Sequence, residues 1–206
     1  MRIGLDFDNT IVSYDSLFHK VAVEQSLVPA SVPESKLAVR DYLREIDNED
    51  AWTELQGYVY GARMNDAVAY PGAIEFIKHA RDNNISMTIV SHKTLHPFVG
   101  PKYNLHDAAR GWVEHFLLDK SEPLIKPEQV FFEVTKEEKI ARIGREACDF
   151  FIDDLPEILN MSGFPSSTGR ILFDPEDKHV TAEVSERLES WQLIKDFFEA
   201  RWTSSN

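Results

Sequence analysis

The chain has 206 residues, 43% of them hydrophobic, so it can bury a core as one domain or as a domain with a sizeable insertion. Lys and Arg number 22 against 35 Asp and Glu, and the net charge of -13 argues against binding to a nucleic acid polymer. Cys148, the single cysteine, cannot form an internal disulfide, and the first residues lack the apolar region of a secretory signal. No apolar run approaches the roughly 18 residues needed to span a bilayer. We therefore expect a soluble cytoplasmic protein without a membrane partner.

Short apolar runs alternate with segments of helical spacing along most of the chain. The runs predict strands at residues 2–7, 85–91, 129–134, 148–153 and 169–173. The amphipathic segments between and after them predict helices at residues 70–84, 104–117, 135–147 and 181–202. Strands that alternate with helices indicate an α/β fold, with a Rossmann-like, mostly parallel sheet and helices on both faces.

Residues 13–69 differ from the rest because they follow the first strand and contain three segments of helical spacing of their own. This stretch is too long for an ordinary connection between two elements of a compact domain. We therefore predict a small helical cap at residues 13–69, inserted into a core formed by residues 1–12 and 70–206. The polar tail at residues 203–206 is expected to be loose.

Polar side chains suited to metal or phosphate chemistry follow several of the predicted strands. They are Asp6, Asp8, Ser91, Lys136, Lys139, Asp153 and Asp154. Ligands of a parallel α/β sheet gather at the carboxyl ends of its strands, so we expect these side chains to lie close together. Residues two apart on an extended strand point to the same side, so Asp6 and Asp8 can address one ligand.

Several carboxylates at one sheet edge repel each other strongly unless a cation lies between them. Carboxylates without His or Cys partners favour magnesium (Mg²⁺) over zinc, and Mg²⁺ usually binds one or two carboxylates together with a substrate phosphate. The sequence therefore predicts a phosphorylated small molecule as the partner of this site. Ser91 as a hydrogen-bond donor and Lys139 as a point charge suit that anion.

Four motifs, in order along nearly the whole chain, resemble those of the haloacid dehalogenase (HAD) superfamily of phosphohydrolases. "DFDNT" resembles the first motif, "TIVSHKT" the second, the lysine of "TKEEK" the third and "FIDDLPEIL" the fourth. The first and fourth motifs are specific, whereas the second and third are common in α/β proteins. The motif spacing and the later "ILFDPEDKH" are similar to the 5′-nucleotidase-like branch of this superfamily.

The resemblance implies roles for the first-motif residues and for the phosphate-binding groups. Asp6 would attack phosphorus and form an aspartyl-phosphate, and Asp8 would act first as general acid and then as general base. Thr10 would brace the loop that binds the phosphate, and Ser91 and Lys139 would stabilise the charge on the transferring group. These roles predict a Mg²⁺-dependent phosphatase of a small phosphomonoester, either a nucleotide or a sugar phosphate.

The resemblance also implies which groups hold the metal. The carboxylate of Asp6, the backbone carbonyl of Asp8 and the carboxylate of Asp154 would be ligands. Asp153 would be a further ligand or would hold a metal-bound water. For the phosphate lysine, Lys136 remains an alternative, but we favour Lys139 because a helical side chain leans back toward the N-terminus of its helix.

Two questions about substrate contacts stay open at the level of sequence. His92, Lys93 and Thr94 follow Ser91 and could touch substrate, although the pattern favours solvated loop residues. The predicted cap contains the aromatic residues Trp52, Tyr58 and Tyr60. These side chains could stack on a base, but such aromatic residues are more typical of the cap's own core.

Alternatives to a phosphatase also stay open. A phosphomutase would use the same aspartyl-phosphate, and a non-catalytic phospholigand-binding module would keep the site without the reaction. A dehalogenase is disfavoured because its chemistry needs neither a metal nor an acid two residues after the nucleophile. Exposed cap helices could also form the surface of a homodimer.

Overall fold

A computed structural model describes residues 1–202, and the tail at 203–206 lies outside the described residues. The chain forms two compact units, each named here after its main elements. The sheet unit comprises Met1–Ile11, Ala69–His92 and the chain from Leu117 onward. The helical unit comprises Val12–Val68 and Lys93–Phe116. Within the described residues, no helix is both long enough and apolar enough to cross a bilayer.

The described residues contain ten strands. They are β1 (Arg2–Leu5), β2 (Val12–Ser13), β3 (Val68–Ala69), β4 (Ser86–His92), β5 (Leu118–Asp119), β6 (Glu122–Pro123), β7 (Val130–Glu133), β8 (Phe150–Asp153), β9 (Gly169–Phe173) and β10 (Glu186–Leu188). The five strands predicted from apolar runs correspond to β1, β4, β7, β8 and β9, so the pattern located each of them to within a few residues.

The same part of the chain contains eight α-helices. They are α1 (Asp15–Glu24), α2 (Lys36–Glu45), α3 (Glu49–Tyr60), α4 (Ala73–Asp82), α5 (Leu105–Phe116), α6 (Lys136–Arg145), α7 (Pro156–Leu159) and α8 (Trp191–Trp202). Two short 3-10 helices lie at Met64–Asp66 and Pro127–Gln129.

Six strands form one sheet in the order β10-β9-β8-β1-β4-β7, and every neighbouring pair in it is parallel. The predicted α/β fold with a mostly parallel sheet is therefore confirmed. The order reverses at β1, because the next strand of this sheet along the chain, β4, lies on one side of β1 and β8 on the other. A reversal of this kind opens a crevice at the carboxyl edge of the sheet, where ligands of such folds bind.

Helices cover both faces of this sheet. Phe151 packs in a buried cluster with Ile140 of α6 and Ile158 of α7. The neighbouring Phe150 places its ring 5.3 Å, centre to centre, from the ring of Phe198 in α8. Because successive residues of a strand point to opposite faces, α8 lies on one face and α6 and α7 lie on the other.

The helix predicted over residues 181–202 is wrong in its first half. Residues Glu186–Leu188 form β10, which pairs in parallel with β9, and helix α8 begins only at Trp191. The Ser190 hydroxyl accepts a hydrogen bond from the backbone N–H of Leu193 at 3.2 Å and so favours a helix start there. Pairing with the edge of β9 satisfies backbone groups and outweighs the weak local preference for helix.

Helices α1, α2 and α3 pack around aromatic side chains within the helical unit. The ring of Phe18 lies 5.2 Å from that of Trp52 and 5.6 Å from that of Tyr60, and Trp52 is only 4% exposed. Helix α5 belongs to this unit as well, because Trp112 is buried there and donates to the carbonyl of Ala67 at 2.9 Å. The sequence pattern had placed residues 104–117 in the core and only 13–69 in the cap. The action of this unit as a cap remains a prediction.

Gly4 offers a direct test of packing in the sheet. A Cβ atom at Gly4 would lie 2.4 Å from a ring carbon of Phe151 and 2.8 Å from the sulfur of Cys148. We expect Gly4→Ala to lower the free energy of unfolding by about 1–3 kcal/mol, because such overpacking forces the core to shift. Gly144→Ala, on the exposed side of α6, is the matched control, since its Cβ would meet only an ordinary contact at 3.5 Å. Urea denaturation should show G144A as stable as the parent or up to about 1 kcal/mol more stable. Equal midpoints for both variants would contradict this packing.

Candidate active site

Asp6 lies at the carboxyl end of β1, in the middle of the sheet edge. Its backbone N–H donates to the carbonyl of Ile152 at 2.8 Å, which continues the pairing of β1 with β8 by one residue. Beyond it, Asn9 adopts a left-handed conformation with φ of 56°, which turns the chain out of the strand. The buried Thr10 hydroxyl donates to Oδ2 of Asp6 at 3.3 Å, and the Trp191 indole N–H donates to the Thr10 carbonyl at 3.0 Å. Hydrogen bonds within the sheet unit therefore fix the loop that follows β1.

Ser91 and Lys139 both donate to the same oxygen of Asp6. The Ser91 hydroxyl, on β4, lies 2.8 Å from Oδ1 of Asp6, and the Lys139 ammonium group lies 2.6 Å from that atom. Lys139 also donates to Oδ2 of Asp153 at 2.5 Å. One ammonium group thus joins the ends of β1 and β8 to helix α6.

The beginning of α6 determines where Lys139 lies. The Thr135 hydroxyl accepts from the backbone N–H of Glu138 at 3.1 Å, and the Glu138 carboxylate accepts from the backbone N–H of Thr135 at 3.1 Å. This capping box makes Thr135 the N-cap of α6 and places Lys139 in the following helical turn. Lys139 is 2% exposed, whereas the side chain of Lys136 is 42% exposed and its ammonium group lies 3.9 Å from an oxygen of Glu157. The structure therefore brings Lys139, and not Lys136, to the carboxylates.

Three carboxylates come together at this edge. Asp6, Asp153 and Asp154 each offer an oxygen within 4.8 Å of those of the other two. Asp153 is fully buried and accepts from the backbone N–H of Leu155 at 3.0 Å, whereas Asp154 is partly exposed. Asp8 follows Asp6 by two residues and is also partly exposed, outside this group of three. Hard oxygen donors without His or Cys are the ligand set that suits Mg²⁺, so these residues fit the predicted metal.

The electrostatics of the group favour an added cation. Burial raises the pKa of the Asp153 carboxyl to about 7, although the Lys139 ammonium group acts in the opposite direction. Burial, together with the charges of Asp153 and Asp6, raises the pKa of Asp154 well above its ordinary value. For Lys139, burial lowers the pKa, but the two carboxylates outweigh burial and leave the pKa above its ordinary value. Three acids share one ammonium group, so a divalent cation would relieve the remaining repulsion.

The residues just after Ser91 were predicted to be solvated, and the structure contradicts this for Lys93, which is only 5% exposed. His92 is partly buried, and its Nε2 lies 3.1 Å from the carbonyl of Val134. Trp191, which holds the Thr10 carbonyl, was not identified from sequence as part of the site because 181 residues separate the two. For Lys93 the only signal in the sequence was its position two residues after Ser91.

No protein-family model matches this chain, and no curated protein does either. Solved structures do match it over nearly its whole length. A HAD-family hydrolase from Deinococcus radiodurans R1, with bound phosphate and sodium, is 16% identical, with a TM-score of 0.57 over 98% of this chain and 96% of that chain.

A predicted phosphatase from Clostridium acetobutylicum is 12% identical, with a TM-score of 0.59 over 97% of this chain and 98% of that chain. A predicted phosphoglycolate phosphatase from Haemophilus somnus 129pt is also 12% identical, with a TM-score of 0.57 over 95% and 96% of the two chains. The chain therefore shares the α/β fold of these solved structures. Similarity at this level of identity establishes a fold and assigns no activity.

Removal of Lys139 should be costly to stability, unlike removal of Lys136. We expect Lys139→Met to lower the free energy of unfolding by about 3–5 kcal/mol, because it leaves buried carboxylates without their cation. Lys136→Met removes the same charge from an exposed position of the same helix and should change stability by no more than about 0.5 kcal/mol. Chemical denaturation at pH 7 measures both. Similar losses in the two variants would show that the Lys139 bridge is not stabilising.

The raised pKa of Asp153 predicts a pH effect on stability. In the folded protein this carboxyl has a pKa of about 7, above the value of about 3.9 of an unfolded aspartate. The folded state therefore binds more protons between these values, so the contribution of Asp153 to stability falls as pH rises from about 4 to about 7. In EDTA, the unfolding midpoint of the parent should decline more steeply over this window than that of Asp153→Asn. Parallel pH profiles would contradict the assignment.

Proposed function

We propose that this protein is a Mg²⁺-dependent phosphatase that hydrolyses a small phosphomonoester, a nucleotide or a sugar phosphate, through an aspartyl-phosphate intermediate. The observation that carries the proposal is the Asp6 carboxylate, held by Ser91 and Lys139 next to Asp153 and Asp154 at the sheet's reversal point. The HAD fold and its similarity to a structure with bound phosphate support it.

Asp6 is the nucleophile in this proposal. One of its oxygens attacks phosphorus in line, the bond from phosphorus to the ester oxygen breaks, and an aspartyl-phosphate forms. A carboxylate and a phosphate dianion repel each other, and the Lys139 ammonium group at 2.6 Å from Asp6 offsets part of this repulsion. The Ser91 hydroxyl and Lys139 also supply donors for the oxygens of the transferring group, while Thr10 keeps the nucleophile oriented.

Asp8 serves as the proton donor and acceptor. It lies two residues beyond Asp6 and is partly exposed, so it can exchange protons with solvent. In the first step it gives a proton to the leaving oxygen. In the second step it takes a proton from the water that attacks the aspartyl-phosphate, which releases inorganic phosphate and regenerates Asp6.

The carboxylates of Asp6 and Asp154 and the backbone carbonyl of Asp8 would hold Mg²⁺, with Asp153 as a further ligand or as the holder of a bound water. When bound, the ion supplies charge neutralisation for the phosphoryl oxygens and for the clustered carboxylates. Asp153 also anchors Lys139, so it connects the residues that would bind metal to the residue that would bind phosphate.

Two features support the proposed class of substrate: the resemblance of the motifs to those of a known branch, and the presence of the helical unit. The motifs are similar to the 5′-nucleotidase-like branch, and we extend the proposal to a nucleotide-type substrate on that basis. The helical unit would act as a cap that excludes water from a small cytoplasmic metabolite. Phe18 and Trp52 of this unit pack on each other. This contact accounts for Trp52 as a core residue, without a base stacked on it.

Phosphate release tests the proposal directly. The protein is assayed on nucleoside monophosphates, sugar phosphates and p-nitrophenyl phosphate, with Mg²⁺ and with EDTA. We expect metal-dependent release and a loss of at least about 10⁴-fold in kcat for Asp6→Asn, because the nucleophile is removed. Asp8→Asn should lower kcat by about 10²- to 10⁴-fold, as expected for loss of a general acid and base.

Asp82→Asn, an exposed carboxylate at the end of α4, is the matched control and should keep the parent rate. Circular dichroism should show all variants folded. Parent-like turnover by Asp6→Asn would refute the mechanism. Conversion of a phosphorylated sugar to an isomer without phosphate release would instead indicate a phosphomutase.

A further inference from the structure

Trp191 joins the last helix of the chain to the loop that follows β1. Strand β10 runs parallel to β9 and ends at Leu188, so the chain has reached the carboxyl edge of the sheet when α8 begins at Trp191. There the indole N–H of Trp191 donates to the backbone carbonyl of Thr10 at 3.0 Å. Both residues belong to the sheet unit and both are buried, so the bond lies inside one compact body.

The Trp191 side chain is itself fixed by its neighbours. Its ring lies 5.3 Å, centre to centre, from the ring of Phe76 and 5.7 Å from that of Phe173. A Cβ atom at Gly72, which has φ of 87°, would lie only 3.1 Å from the Cβ of Trp191, so the backbone approaches closely there. Close packing on several sides restricts the rotamers of the indole, which makes its N–H a donor with a set position.

Thr10 connects this bond to the proposed nucleophile. The Thr10 hydroxyl donates to Oδ2 of Asp6 at 3.3 Å. The hydroxyl and the carbonyl belong to one residue, so a movement of the Thr10 backbone also moves the hydroxyl relative to Asp6. Asn9, in the same loop, has φ of 56°, a left-handed conformation that is uncommon for residues other than glycine. Contacts around such a turn have to keep it in place, and the Trp191 N–H supplies one of them.

We propose that Trp191 is a positioning residue for the proposed reaction, because its indole N–H fixes the Thr10 backbone and so keeps Asp6 aligned for attack on phosphorus. The inference rests on the proposed function, since it concerns the same nucleophile. Trp191 acts through Thr10 and does not touch substrate. A small displacement of a nucleophile lowers the rate strongly, because attack on phosphorus requires close and in-line geometry. Loss of alignment therefore lowers kcat, whereas loss of packing alone lowers stability.

Trp202 provides a matched control in the same helix. Its ring lies 6.4 Å from that of Phe76, the ring that Trp191 also contacts. Within the described residues, the buried Nε1 of Trp202 has no hydrogen-bond partner, in contrast to that of Trp191. Trp202→Phe and Trp191→Phe thus remove the same indole from the same layer, but only the second change removes a hydrogen bond.

Steady-state kinetics of the two variants test the inference. The parent and both variants are assayed in Mg²⁺ on nucleoside monophosphates, sugar phosphates and p-nitrophenyl phosphate, and urea denaturation shows which variants are folded. We expect Trp191→Phe to lower kcat about ten- to a hundredfold and to leave KM within about twofold of the parent, as loss of alignment requires. Trp202→Phe should keep both constants within about twofold of the parent, because no bond to the loop is lost.

Three kinetic results would overturn the inference. They are a parent-like kcat in folded Trp191→Phe, an equal loss of kcat in the two variants, and a rise in KM without a change in kcat. The first and second would make Trp191 a packing residue. The third would mean that it affects the binding of substrate and not the alignment of the nucleophile.

Indole proton exchange in the parent decides the question if Trp191→Phe does not fold. NMR follows the exchange of the Trp191 and Trp202 indole protons with D₂O in Mg²⁺, with and without beryllofluoride, which mimics a phosphoryl group on an aspartate. A bond that supports the reactive arrangement of Asp6 has to be stabilised in return when the analogue binds. The Trp191 proton should then exchange at least about tenfold more slowly, while the Trp202 proton changes by less than about twofold. Equal effects on the two protons would contradict a positioning role.

Failure of the proposed function has a different signature. A parent that releases no phosphate from any of these substrates would reject the phosphatase together with the inference that rests on it. Phosphate release by the parent at a rate that Trp191→Phe retains would keep the phosphatase and reject only the role of Trp191.

Discussion

The ammonium group of Lys139 between Asp6 and Asp153 is the interaction on which the candidate site depends. It brings a cation from α6 to the ends of β1 and β8, two strands whose carboxylates would otherwise repel each other in a buried setting. The same contact orients Asp6, and the other oxygen of Asp6 accepts a longer hydrogen bond from the Thr10 hydroxyl, at 3.3 Å. Stability and chemistry therefore rely on one side chain, and a change there would affect both.

Several contacts distant in sequence support that arrangement. The capping box at Thr135 sets the start of α6, and the indole of Trp191 holds the loop that carries Thr10. Gly4, which has no side chain, leaves room for the ring of Phe151 on the neighbouring strand, and that ring packs with residues of α6 and α7. None of these groups would touch substrate in the proposed mechanism, yet together they limit the freedom of the nucleophile, which is the condition for efficient group transfer.

The groups at the sheet edge account for only one part of the proposed function. Charges at the sheet edge serve the reaction on phosphorus, which is common to phosphomonoesters of many kinds. Discrimination among those esters has to come from groups that contact the rest of the substrate.

The sequence by itself determined the parallel sheet, most helices and the identity of the clustered residues, because period-2 and period-3.6 patterns and strand ends are local features. It also favoured Lys139 over Lys136, because a helical side chain leans back toward the N-terminus of its helix. Only the tertiary structure decided that residues 186–188 pair with β9, since the partner of an edge strand is invisible in local periodicity. The burial of Lys93 and the grouping of α5 with the helical unit were decided in the same way. Burial and desolvation depend on which distant segments pack together, and no local pattern of residues carries that information.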